Sequence, residues 1–458
     1  LTPIHVGLFG HIDHGKTALA AQLTEKPSTA ALDKHPEAQR RGITIDLGFS
    51  AFKLKEYLVT LVDAPGHADL IRNVVAGADI VDVAILVIDA EKGPEVQTGE
   101  HVLILNYFGI KNLIVALNKI DLIKKEQIDA IKLKIKKILA GTFFQNAPIV
   151  PVSAKTGEGI LELKETLYKQ IEPPLRQPGP FKMPIDHAFE IKGTGTVITG
   201  TILRGEIKVG EKIQIQPLEY ECKVKSIQTF GENRTKAKAG DRVGMSITEV
   251  KAEKIYRGCV ACEPSSLIVT KNIQAEIAIS ELFRHILKPN NVIHVNAGMV
   301  VVAAKILPYY VKNGVFFVKE KLGPGDRTLA ILELTQPIIV EKGERILISK
   351  LDLPPKTLRI AGGGRIIEPI TPPIVFSREI VKKGKVTQPE REVGKSVVDY
   401  LARNKEKAKL LINQIVVSES GIKGKIIDTL GERGAVIVEF ERTPMKNEVV
   451  YLKQIKRL

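Results

Sequence analysis

Cysteine is scarce: three thiols in 458 residues cannot build a disulfide framework, and so low a count suits a reducing compartment. Long apolar runs are missing too. Stretches such as VDVAILVIDA (81–90) fall far short of the roughly 20 residues that cross a bilayer, so no membrane partner is expected. No signal-peptide pattern opens the sequence, and no internal repeat or low-complexity tract interrupts it. Acidic residues are in deficit, 52 against 67 basic, for a net charge of +15 and a pI near 9.4. Such a balance often accompanies a polyanionic partner without naming it. What is present is ample apolar material, 44% of residues, and a length that suits three or four domains of ~150 residues each. A soluble, cytoplasmic, monomeric protein is the expectation.

Up to about residue 176, strand-like runs (IHVGLF, LVTLV, VAILVID, NLIVALN, IVPVS) alternate with helical patterns such as 125–140. That alternation predicts an α/β domain, a mostly parallel sheet with helices on both faces. The breaker segment EPPLRQPGP (172–180) ends it. Short alternating runs separated by Gly turns then fill roughly 181–370 and read as two successive β-barrels, with a boundary near CEPSS (262–266) and another near EPITPP (368–373). The expected domains are 1–176, 181–266, 267–371 and a small, mainly-β 374–458. The last carries a basic helical stretch around 403–412 and a hairpin in GKIIDTLGERGAVIVEFE; residues 375–458 hold eighteen Lys and Arg against eleven Asp and Glu.

Four motifs in the first domain carry chemistry. GHIDHGKT (Gly10, His11, Ile12, Asp13, His14, Gly15, Lys16, Thr17) fits G-x-x-x-x-G-K-[ST] between a strand and a helix. Its glycines let backbone N–H groups face phosphates, Lys16 reaches the β/γ oxygens, and the Thr17 hydroxyl can ligate Mg²⁺. DAPGH then sets Asp63 to hold the Mg²⁺ shell and Gly66 near the γ-phosphate. In NKID, with Asn118 and Lys119, the Asp121 carboxylate offers two acceptors to the paired N–H donors on the guanine edge, which adenine lacks. SAK (Ser153, Ala154, Lys155) brings a backbone N–H to the guanine carbonyl. Each motif alone is an ordinary turn. In this order, each after a strand, they predict a GTP/GDP site.

The wording GHIDHGKT, RRGITI (40–45) and DAPGH resembles the EF-Tu-like translational GTPases. That resemblance implies a P-loop GTPase domain followed by two β-barrels, with Thr44 completing the Mg²⁺ shell. It also implies that His67 orients the attacking water, with Ile12 and Ile43 as an apolar gate beside it, and that catalysis is positioning and charge stabilisation. His67 and Lys16 are then the catalytic residues. Within the class, an initiator-tRNA carrier like the initiation factor two gamma subunit would bring a cysteine-rich knuckle before D-x-P-G, and none stands between Thr44 and Asp63. The general elongation factor has a longer insert before its switch threonine and no fourth domain. The GTPase subunit of sulfate adenylyltransferase gives no reason for a basic C-terminal domain. RGITIDLGFSAFKL (41–54), the run 62–101, IDHAFEIKGTGTVITGTILRG (185–205) and AGDRVGMSI (239–247) resemble the selenocysteine-specific elongation factor (SelB) family, in its archaeal type.

That family implies selenocysteyl-tRNA and the ribosome as partners. The short C-terminal region puts direct mRNA-hairpin binding in doubt, so any hairpin would be met through a separate adaptor protein. It also implies an aminoacyl pocket on the first barrel, at Asp186, His187 and Arg242. A selenol is anionic at neutral pH and a serine hydroxyl is not, so a cationic pocket discriminates by charge. On residue chemistry alone, a strand-end Asp-His and a turn Arg read as surface residues. The glycines beside them (Gly193, Gly195, Gly200) miss the G-x-G-x-x-G spacing of a second nucleotide loop, and no nucleophile makes the Asp-His a catalytic dyad. A non-hydrolysing RNA-binding scaffold is the reading from a different class.

Three further features read as structural. CVAC (259–262), with Cys222 the only other thiol, lacks a second ligand pair and reads as buried barrel cysteines. His294 lies in an apolar strand and reads as core or interface. AGGGRI (361–366) has no following helix and reads as a tight barrel turn rather than an anion site.

Overall fold

The computed structural model describes residues 1–24, 48–63, 80–173, 176, 178–354, 357–369, 374–392 and 394–457. The chain forms two compact units, one of Leu1–Pro308 with Lys321–Thr371 and one of Tyr309–Glu320 with Pro372–Leu458.

The first unit begins with an α/β layer: β1 (Thr2–Phe9), α1 (Lys16–Leu23), β2 (Gly48–Leu54), β3 (Tyr57–Asp63), β4 (Val83–Asp89), α2 (Val96–Phe108), β5 (Asn112–Asn118), α3 (Lys125–Leu139), β6 (Ile149–Pro151) and α4 (Ile160–Gln170). The sheet order is β2-β3-β1-β4-β5-β6, parallel except for β2, which forms an antiparallel hairpin with β3. The near-continuous apolar runs follow from burial on both faces. In β4, Val83, Ile85 and Val87 join the core under α1 and α4, while Ala84, Leu86 and Ile88 join the core under α2 and α3. The sequence reading missed β2. Its apolar anchors, Phe49 and Phe52, are three apart and face opposite cores.

Helix α3 shows the ordinary one-faced pattern, Ile128, Ile131, Ile135 and Leu139 facing the sheet. Helix α2 buries Val102, Leu103, Ile104 and Leu105 in succession. The reason is that Leu347 and Ile360, from the barrel described below, pack into the same core.

Two closed antiparallel barrels complete the unit. In the first, β7 (Lys182–Ile191), β8 (Gly195–Thr201), Arg242–Ile247, Tyr220–Thr229, Lys212–Gln216 and Val260–Cys262 pair in a ring around Met183, Ile198, Ile213, Val224 and Met245. In the second, Asn291–Ala297, Arg345–Ser349, Ile360–Pro369, Ile268–Ile279, Arg327–Val340 and the early part of Val300–Lys312 close around Ile277, Ile293, Leu332 and Ile348.

The AGGGRI turn expected from sequence is instead part of the strand Ile360–Pro369. Its glycines mark close approach: a Cβ on Gly363 would sit 2.5 Å from the Tyr107 ring of α2, and one on Gly362 or Gly364 would sit 2.1 Å from the carbonyl of Ala278 or Glu276. Cys222, Cys259 and Cys262 are free and buried, and burial raises each thiol pKa.

In the second unit, Phe376–Glu392, Lys395–Asp399, Ala435–Phe440, Lys423–Leu430, Ile415–Ser418 and Val449–Arg457 form a closed ring around Val386, Val398, Ile426 and Val438. The short helix Lys405–Lys409 lies where the basic stretch predicted one. The hairpin of Tyr309–Glu320 joins this unit through the clustered rings of Tyr309, Phe316 and Phe376.

Candidate functional site

The first domain's site lies at the carboxyl ends of β1, β3, β4, β5 and β6, where loops leave a parallel sheet. β1 hands over to α1 through residues 10–15. Gly10 has φ 140° and a Cβ there would meet the Val87 carbonyl at 2.2 Å; Gly15 has φ 85° and a Cβ there would meet Asn118 Nδ2 at 2.4 Å. Only glycine satisfies both positions. Lys16, buried, donates from Nζ to the carbonyls of Gly10 (3.0 Å) and His11 (2.9 Å). Burial lowers its pKa, while Asp63 and Asp13 pull the other way. A desolvated ammonium at the N-terminus of α1 suits a phosphate.

The Thr17 hydroxyl donates to Asp63 Oδ2 at 2.8 Å, so two hard oxygen ligands stand side by side. That pair fits Mg²⁺. Thr44, Ile43, Gly66 and His67 lie outside the described residues.

Across the sheet, Asn118 ties three motifs together. Its Nδ2 donates to the His14 carbonyl (2.9 Å) and its Oδ1 accepts from the Ala154 N–H (3.0 Å). Lys119, with φ 64°, pairs with Asp89 at 2.7 Å, and Ser153 Oγ donates to Asp121 Oδ1 at 2.6 Å. Lys155, next to Ala154, is exposed.

Sequence reasoning missed three supporting residues. Asp89 holds Lys119 and caps the turn after β4 through the N–H groups of Glu91 and Lys92. His101 of α2, buried, accepts the Gly10 N–H on Nδ1 at 3.0 Å; burial first, then Lys16, lowers its pKa to about 3. Glu100 beside it, also buried, pairs with Arg359 of the second barrel at 3.3 Å. The only sequence signal for His101 was a histidine just before the apolar run VLIL (102–105), which names no partner.

On the first barrel, Asp186 in β7 and Arg242 in the strand Arg242–Ile247 are cross-sheet neighbours through β8. Arg242 Nη1 donates to Asp186 Oδ2 at 2.6 Å, His187 Nδ1 lies 3.1 Å from Asp186 Oδ1, and the Thr199 hydroxyl donates to the same oxygen. Burial would raise the Asp186 carboxyl; Arg242 and the bonds from His187 and Arg242 overcome it and hold the carboxyl well below the usual carboxylate range. Side-chain exposures of 3% for Asp186, 12% for Arg242 and 43% for His187 make the histidine the outward face of the cluster. The Arg242 guanidinium also lies 3.3 Å from the ring centroid of Phe49 in β2.

Three family descriptions match the chain: the Elongation factor Tu GTP binding domain over residues 2–173, Elongation factor Tu domain 2 over 195–262, and domain III of the archaeal selenocysteine-specific elongation factor over 267–369. A selenocysteine-specific elongation factor from Methanocaldococcus jannaschii is 43% identical over 464 aligned residues, covering 99% of this chain and 98% of its own. The chain belongs to the selenocysteine-specific elongation factors. A mouse member of that family is 42% identical across 66% of this chain and 56% of its own. The solved structure of translation elongation factor SelB from Methanococcus maripaludis, in complex with a GTP analogue, matches with a TM-score of 0.87 and 42% identity, covering 100% of this chain and 99% of that one. As a selenocysteine-specific elongation factor the chain is a translational GTPase, with a GTPase domain, β-barrel domains and a C-terminal β-rich domain. None of these findings supports the initiator-tRNA alternative or the non-hydrolysing scaffold.

Proposed function

We propose that the chain binds GTP with Mg²⁺, carries selenocysteyl-tRNA to the ribosome at recoded UGA codons in that state, and hydrolyses GTP to let go. The observation that carries this reading is one arrangement within one unit: the phosphate loop, with Asn118 joining it to the Ala154 loop, and a charged cluster of Asp186, His187 and Arg242 on the adjoining barrel.

In this reading Gly10 to Thr17 cradle the phosphates, and Asp121, Ser153, Ala154 and Lys155 read the guanine. Thr17, Asp63 and Thr44 would hold Mg²⁺, which supplies charge neutralisation on the β and γ phosphates. Lys16 stabilises developing charge, and His67, next after Gly66 in the sequence, orients the water. On the barrel, Arg242 supplies fixed charge, His187 presents N–H donors outward, and Asp186 orients both. A selenolate gains their charge-assisted bonds; serine leaves the positive groups without an anion. Domains at 1–176, 181–266, 267–371 and 374–458 divide these tasks. The basic last one contacts RNA or the ribosome, any mRNA hairpin is met through a separate adaptor protein, and the factor works as a cytoplasmic monomer.

The test is filter binding of selenocysteyl-tRNA to the full chain with a GTP analogue and with GDP. At least tenfold tighter binding with the analogue is expected. Equal affinity in the two states would remove the GTP-driven carrier reading.

A further inference from the structure

Two phosphate-loop histidines and a glutamate from the start of α2 meet outside the contacts used above. His11 Nε2 lies 3.1 Å from Glu95 Oε2 and His14 Nε2 lies 3.7 Å from Glu95 Oε1. One ligand-capable atom from each of the three residues falls within 4.8 Å of the other two. His14 is fully buried, and among the described residues its Nε2 has no hydrogen-bond partner.

The tautomers follow from the opposite ring nitrogens. His11 Nδ1 lies 2.8 Å from the Ile12 carbonyl and His14 Nδ1 lies 3.2 Å from the Val87 carbonyl. A carbonyl only accepts, so each Nδ1 carries a proton and donates it. With its Nδ1 proton given to the Val87 carbonyl, the buried His14 ring leaves its Nε2 lone pair free for a ligand. That lone pair faces a carboxylate oxygen, an acceptor opposite an acceptor. A proton shared between His11 and Glu95 explains half of the arrangement and leaves His14 unexplained. A cation between the three explains all of it.

We propose that His11, His14 and Glu95 form a binding site for a divalent transition-metal ion, with zinc the best match. Two imidazoles, borderline donors, with one carboxylate make a ligand set that suits zinc, whereas Mg²⁺ takes oxygen. Backbone carbonyls fix both rings through Nδ1, the outer support that metal-bound histidines usually have. Tetrahedral zinc with bonds of about 2.0 Å sets its ligands roughly 3.3 Å apart, so the cluster needs only a modest inward movement. The ion has three protein ligands and a fourth position for water. Because two ligands belong to the phosphate loop and the third is the N-cap of α2, the ion ties the loop to that helix.

The experiment is a zinc titration of the full chain loaded with Mg²⁺ and GDP, read by calorimetry, with X-ray absorption at the zinc edge on the saturated sample. One equivalent is expected, with a shell of nitrogen and oxygen that includes two imidazoles. Glu95→Gln, which leaves the phosphate contacts in place, should weaken zinc binding at least tenfold and leave GDP affinity within twofold. Four outcomes overturn the proposal: no stoichiometric binding, sulfur in the zinc shell, unchanged affinity in Glu95→Gln, or loss of GDP binding in parallel with zinc.

Discussion

At the scale of single residues, the cargo cluster is organised by what surrounds Arg242. Its guanidinium sits between the Asp186 carboxylate on one side and the Phe49 ring on the other. Phe49 comes five residues after Thr44 in the sequence, so the strand that follows the expected Mg²⁺ ligand touches the residue assigned to charge recognition. Phe49→Ala should free one face of the guanidinium and lower the preference for selenocysteyl- over seryl-tRNA roughly threefold to tenfold, the worth of a cation–π contact of about 0.5–1 kcal/mol and upward. The ratio of the two tRNA affinities checks it, and an unchanged ratio removes Phe49 from the pocket. His101 yields a pH prediction. Its folded pKa of about 3 lies below the ordinary value of 6.5, so the unfolded chain binds the proton first. The contribution of neutral His101 is therefore complete above pH 6.5 and is lost as the pH falls toward 3, at about 1.4 kcal/mol per pH unit. In His101→Gln that slope should vanish between pH 6.5 and 4 when urea midpoints are compared with the parent chain; parallel curves would contradict the assignment.

At the scale of elements, legibility in the sequence tracked how local the cause was. The loop at 10–17 and the strands before 63, 118 and 153 could be read because each motif sits on its own strand end. The helix predicted at 125–140 exists as Lys125–Leu139, because its apolar spacing needs no partner to be recognised. β2 went unread because GFSAFKL has no β-branched residue and its two phenylalanines face opposite cores. The three glycines at 362–364 looked like a turn, yet the approach of Ala278, Glu276 and Tyr107, all distant in sequence, is what requires them. That approach sets an order of tolerance. Gly362→Ala and Gly364→Ala press on backbone carbonyls and should cost more than Gly363→Ala, which presses on the Tyr107 side chain; overpacking of this kind costs typically 1–3 kcal/mol. Thermal unfolding midpoints of the three variants give the order, and equal midpoints would refute it.

At the scale of the whole molecule, the sequence carried the family while the wiring among its parts came from the structure. Nothing in GEHVLIL announces that Glu100 reaches Arg359 while His101 reaches Gly10, so that adjacent residues of α2 serve the second barrel and the phosphate loop. Both partners are buried, so breaking the pair would leave an uncompensated charge. That Tyr309–Glu320 belongs with the C-terminal unit was likewise not legible, because its partner Phe376 lies about sixty residues away. Charge recognition of the cargo is tested most directly by ester hydrolysis. The same tRNA, charged with selenocysteine or with serine, is incubated with the full chain and a GTP analogue, and the rate of deacylation is followed. Strong protection of the selenocysteyl ester is expected, with at least tenfold weaker protection of the seryl ester and a collapse of that difference in Arg242→Ala. Equal protection of the two esters by the unaltered chain would contradict it.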